Sequence, residues 1–122
     1  MTRVLRSPIV VICATGVLAG VLHWGVGWMA TPLAGGVAGA WSARWHWWAG
    51  AAGVGGAWAA AIVYTAAVAP GSFRVLLDTL GALGGNIPGM AFVALPVLVG
   101  SLLGALGGGI GRCLRLLWTA DA

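Results

Sequence analysis

Apolar positions fill the chain in long runs, at about 8–43, 47–69 and 88–111, with a less apolar stretch from 71 to 87 before the last. A helix that crosses the roughly 30 Å hydrocarbon core of a bilayer needs about 20 such residues. Between Ser7 and Gly111 only Arg44, Arg74 and Asp78 carry a formal charge. A water-exposed surface normally has roughly a quarter or more of its positions charged. The pattern therefore predicts an all-α integral membrane protein, one multi-pass domain over residues 1–122.

The first run is 36 residues long, too long for one span and slightly short for two. Thr31 and Pro32 offer a turn within it, because threonine suits a helix N-cap and proline the first helical position. The segment 23–27 is an alternative turn. Arginine placement decides the count. With two spans in this run, Arg3, Arg6, Arg44, Arg112 and Arg115 fall on one side and Arg74 alone on the other. With one span the arginines divide evenly. Cytoplasmic loops carry the arginine excess, so the expectation is four spans, at about 8–28, 31–44, 47–69 and 88–111, with both termini cytoplasmic in the cell membrane.

The stretch 72–85 is too short for a span and is expected to lie as an amphipathic interfacial helix, with a half-inserted hairpin as the other option. Val75, Leu76, Leu80 and Leu83 would form its apolar face. Arg74 and Asp78, four residues apart, would pair on another face. Tryptophan prefers headgroup depth. Trp24 and Trp28 are placed near the outer interface, and Trp41, Trp45, Trp47 and Trp48 around Arg44 near the inner one.

Lipid tails are as apolar as leucine, so membrane helices associate through close packing, which small residues permit. Glycines recur at helical spacing: Gly16 and Gly20 on span one, Gly35 and Gly39 on span two, Gly50 and Gly53 on span three, Gly100 and Gly104 on span four. These stripes predict a compact bundle with glycine-rich packing faces. Two six-residue words recur, at 36–41 with 53–58 and at 80–85 with 103–108. In so biased a composition they do not establish a duplication.

Few side chains carry chemistry. His23 is an ionisable group inside a span, and such residues are functional hypotheses by default. Tyr64 and Ser101 can hydrogen-bond between helices, Asn86 is placed to cap the start of the last span, and Pro96 is expected to kink that span by removing a backbone donor. The two cysteines, Cys13 and Cys113, have no second ligand at metal-binding spacing. No metal, cofactor or nucleic-acid partner is expected, and no catalytic constellation is present, which argues against an enzyme.

Gly35-Gly-Val-Ala-Gly-Ala-Trp-Ser-Ala-Arg44 resembles the early glycine-rich motif of small fluoride channels, but its arginine is displaced by one position and the motif falls in the wrong span. The membrane-embedded glutamate of small multidrug exporters has no counterpart, since the chain contains no glutamate. Neither membership follows. The expectation is a structural or accessory subunit packing against other membrane proteins, the alternative a homo-oligomeric channel or transporter for a small ion or solute. The expected partners are the lipid bilayer and either further copies of this chain in a homo-oligomer or other membrane-protein subunits.

Cysteine-accessibility mapping in intact cells should place positions next to Arg44 on the cytoplasmic side and positions next to Arg74 outside. Labelling of Arg3 and Arg44 neighbours from opposite sides would refute the four-span count.

Overall fold

The computed structural model describes residues 7–42 and 44–120. Arg3, Arg6 and Asp121 lie outside them. Helix α1 covers Pro8–Gly25, a 3-10 turn Trp28–Ala30 leads into α2 at Thr31–Trp41, and α3 covers His46–Val68, α4 Pro70–Leu83 and α5 Ala91–Ala120. There are no strands among the described residues. Helices α1, α3 and α5 are long and apolar enough to cross a membrane. At 1.5 Å per residue they measure roughly 27, 35 and 45 Å.

The region expected to form the second span is different. Helix α2 has eleven residues, about 16 Å, and does not reach across the core by length alone. Gly27, at φ 114, opens the preceding turn, a backbone shape that suits a residue without a Cβ. Thr31 does not cap α2 with its side chain; its hydroxyl donates back to the Trp28 carbonyl at 2.7 Å. Helix α5 is longer than the run at 88–111, because Arg112 and Arg115 continue the helix past the apolar stretch.

Two small core layers fix the directions of the first three helices. One holds Val11, Ala38 and Ala49, the other Ala19, Ala34 and Val54. The start of α1, the end of α2 and the start of α3 thus share a level, so α2 runs opposite to its neighbours. Helix α5 runs parallel to α2, with Gly35 against Gly104 and Gly39 against Gly108, and antiparallel to α3, with Gly50 against Gly104 and His46 against Gly108.

Packing is backbone on backbone. Val54 and Thr31 are the largest fully buried side chains. A Cβ added at Gly35, Gly39 or Gly50 would collide with a carbonyl of α5, and one at Gly104 would come within 2.8 Å of the Val54 Cβ and 2.7 Å of the Gly50 carbonyl carbon. Gly107 and Gly111 press on Pro32 and Gly36, while Gly100 lies under the Trp58 ring, which an added Cβ would meet at 3.0–3.3 Å. Gly53 faces Thr15 and the Ile12 carbonyl, and Gly16 faces the Gly53 carbonyl, 3.3 Å from an added Cβ.

Gly20, expected on the same packing face as Gly16, touches no helix: an added Cβ there would meet nothing within 4 Å. Gly20 faces a cavity beside His23, while Ala19 next to it packs into the core with Val54. Large side chains point outward instead, including Trp24, Val17, Leu33, Ile110 and Trp118.

Helix α4 starts directly after α3, with Pro70 in its first turn, where the missing N–H costs nothing. Its inward face is Phe73, Leu77, Leu80 and Gly81, whereas Val75, Leu76 and Leu83 of the expected apolar face are more than half exposed. The helix turns Leu77 and Gly81 inward because Gly89 and the Ile87 carbonyl pack directly against them. Asn86 does not cap α5. At φ 65 it closes the turn after α4, its N–H donating to the Gly81 carbonyl at 3.0 Å, and α5 begins only at Ala91. Helix α5 continues through Pro96.

Gly104→Ala should lower bundle stability by about 1–3 kcal/mol, the usual cost of overpacking, whereas Gly56→Ala, in open space, should not lower it. Reversible unfolding in mixed micelles measures both. Equal losses would refute backbone contact at Gly104.

Candidate functional site

His23 sits two residues before the end of α1 and faces Trp58, in the middle of α3. The two rings meet edge to face, centroids 5.6 Å apart. This pairing follows from α1 and α3 running parallel from a close contact at Gly16 and Gly53. The His23 Nδ1 and the Trp58 Nε1 are both buried and have no hydrogen-bond partner among the described residues. An indole nitrogen can only donate, while an imidazole nitrogen donates or accepts according to tautomer.

These rings line a cavity of about 270 Å³ closed by α4, with Gly20, Thr65, Phe73 and Leu76 among its other walls. The space exists because Gly20 has no side chain to fill it. Thr65 brings little free polarity, since its hydroxyl donates to the Ala61 carbonyl at 2.9 Å on its own helix. The cavity is therefore a mostly apolar hollow walled by the two rings, whose buried nitrogens are themselves covered. Such a hollow suits a small, mostly apolar molecule.

The four polar residues singled out by sequence do not meet. Tyr64 is on the outside of α3, its ring 5.9 Å from that of Trp24, and together with Gly20 they line a separate open groove of about 580 Å³. Asn86 is exposed in the α4–α5 turn. Ser101 packs its hydroxyl over Gly55 between α5 and α3. Arg74 and Asp78 share a further shallow groove beside Pro70 and Gly89. Among the described residues no three of histidine, cysteine, aspartate and glutamate come together to hold a metal ion. Cys13 and Cys113 are free and exposed.

Two residues of consequence were missed by the reading of the sequence. Trp58 could have been noticed as the one tryptophan far from any span end. Arg115 donates from Nη1 to the carbonyls of Ala40, at 2.8 Å, and Trp41, at 3.4 Å. It thereby satisfies carbonyls that the C-terminus of α2 leaves unpaired, and places a positive charge at the negative end of that helix. Only its position in the last turns of a basic-ended helix could have hinted at this. Arg44 lies nearby in sequence, its guanidinium 5.7 Å from the centroid of the Trp45 ring.

No protein-family model, curated protein or solved structure matches the chain.

His23→Leu removes a buried nitrogen without a protein partner. A buried unsatisfied group costs about 1–3 kcal/mol, so the thermal midpoint in detergent should stay level or rise. A fall of several degrees would show that Nδ1 is satisfied in the membrane.

Proposed function

We propose that this chain is a small structural or accessory subunit of the cell membrane, crossing it four times with both termini cytoplasmic and packing against other membrane proteins. The observation that carries this reading is the inversion of side-chain size. Glycine and alanine form most of the interior, and most of the large apolar side chains point outward, where lipid or neighbouring spans meet them. A core of backbone contacts gives a slim, rigid body, with its surface left for partners. The scattered positions of Tyr64, Asn86 and Ser101 fit this better than a polar pathway through the bundle.

The four-span count rests on direction. The end of α2 lies level with the starts of α1 and α3, so the chain returns to its first side before α3 begins. The short α2 and its preceding 3-10 turn together make that return. This places Arg44, Arg112 and Arg115 at one end of the bundle, the end that the arginine bias of cytoplasmic loops assigns to the inside. No catalytic role is included.

A channel or transporter is the second reading, and the His23–Trp58 cavity favours it. A small solute in that cavity would lie against the His23 ring.

Native mass measurement after gentle extraction from the membrane distinguishes the readings. Co-purification with other membrane proteins at a fixed ratio is the expected result. A closed ring of this chain alone would overturn it in favour of the channel, and His23→Gln would then be tested for lost flux.

A further inference from the structure

A second concavity owes nothing to His23. Helices α2 and α5 leave a groove of about 620 Å³ on the outside of the bundle. Its floor is nearly bare backbone, from Pro32, Gly36, Gly107 and Gly111, and Leu33 and Ile110 stand beside it with about two-thirds of their surface exposed. Because α2 and α5 run parallel, the groove is straight. It leads from Pro32 beside Gly107 to Ala40 beside Arg115. From Gly107 to Thr119, helix α5 advances roughly 18 Å, against about 15 Å for half of a 30 Å hydrocarbon core. The groove thus has the length of one acyl chain in one leaflet.

Charge is confined to one end of it. Arg115 uses Nη1 to hold the α2 carbonyls, and the other edge of its guanidinium, Nη2 and Nε, can take a phosphate oxygen pair. Arg112 is one turn away, and Arg44 follows α2 at the same end. Trp118, strongly exposed, sits where an indole would lie at headgroup depth. Among the described residues the one acid, Asp78, is on α4 at the opposite end of the bundle. Arg44, Arg112 and Arg115 together give this end of the groove a positive face that an anionic headgroup complements.

The geometry points to a binding site for an anionic phospholipid, its acyl chain along the glycine floor and its phosphate on Arg115. The lipid bridges the end of α2 to the last turns of α5, so it reinforces the contact on which the short helix depends. The site is independent of whether the chain serves as a subunit or a channel.

The test is native mass spectrometry of the intact chain from micelles containing equal amounts of phosphatidylglycerol and phosphatidylcholine with the same acyl chains. One phosphatidylglycerol per chain should be retained in preference by about fivefold, the effect of one arginine near an anionic surface. Arg115→Gln should bring the ratio close to one, while Arg115→Lys should keep most of the preference. Ile110→Trp, which fills the groove from its exposed wall and leaves Arg115 in place, should lose the bound lipid without loss of helicity. Equal retention of the two lipids would overturn the proposal. So would a preference that survives both Arg115→Gln and Ile110→Trp, or a lipid-free dimer joined through this face.

Discussion

The rest of the structure depends on the close approach of α5 to α2 and α3, with Gly104 and Gly108 as the points of contact. Neither Gly35, Gly39 nor Gly50 could carry a methyl group without striking an α5 carbonyl. In a bilayer there is little hydrophobic gain in joining two apolar helices, so their association comes from dispersion contacts and short backbone approaches. Each such contact is weak and its strength falls quickly with distance. The glycines convert a face that would otherwise be held apart by side chains into one where many weak contacts act together.

This packing decides where polarity can go. Large side chains are turned out, and the interior has almost no room for hydrogen-bonding groups, apart from threonines that bond their own helices, as Thr15 does to the Val11 carbonyl at 2.7 Å. Beside Gly20, between α1, α3 and α4, space opens, and there His23 meets Trp58. At the other end, the guanidinium of Arg115 meets two of the terminal carbonyls of α2. The short helix is tolerable because a long one carries its cap.

Much of this was legible in the composition and spacing of the chain. The long apolar runs correspond to α1, α3 and α5, and the stripes at Gly35, Gly39, Gly100 and Gly104 fall on faces that touch other helices. Periodicity could not say which partner each stripe meets, nor that Gly20 faces a cavity and not a neighbouring backbone, since that depends on crossing geometry. The eleven-residue α2 was hidden inside the apolar run 8–43, because the turn at 26–30 that separates it from α1 is itself built of apolar residues and glycine. The inward face of α4 was set by its own return turn: Gly89 and Ile87 lie against Leu77 and Gly81, a contact no hydrophobic count along the helix reports. Pairings such as His23 with Trp58 and Arg115 with Ala40 join residues far apart in the chain, which a pattern of single positions does not encode.

The bond from Arg115 to the Ala40 carbonyl spans 75 positions. At about 5–20 residues per second of synthesis, roughly 4–15 seconds separate the making of α2 from the making of the residue that closes its end. During that interval neither its glycine seam with α5 nor its terminal carbonyls have their final partners. Helix α2 must be sheltered by α1, by α3 or by the insertion machinery until the last span arrives. The end of α2 is thus completed only late in synthesis, with α5 acting as the clasp that locks a helix made long before it.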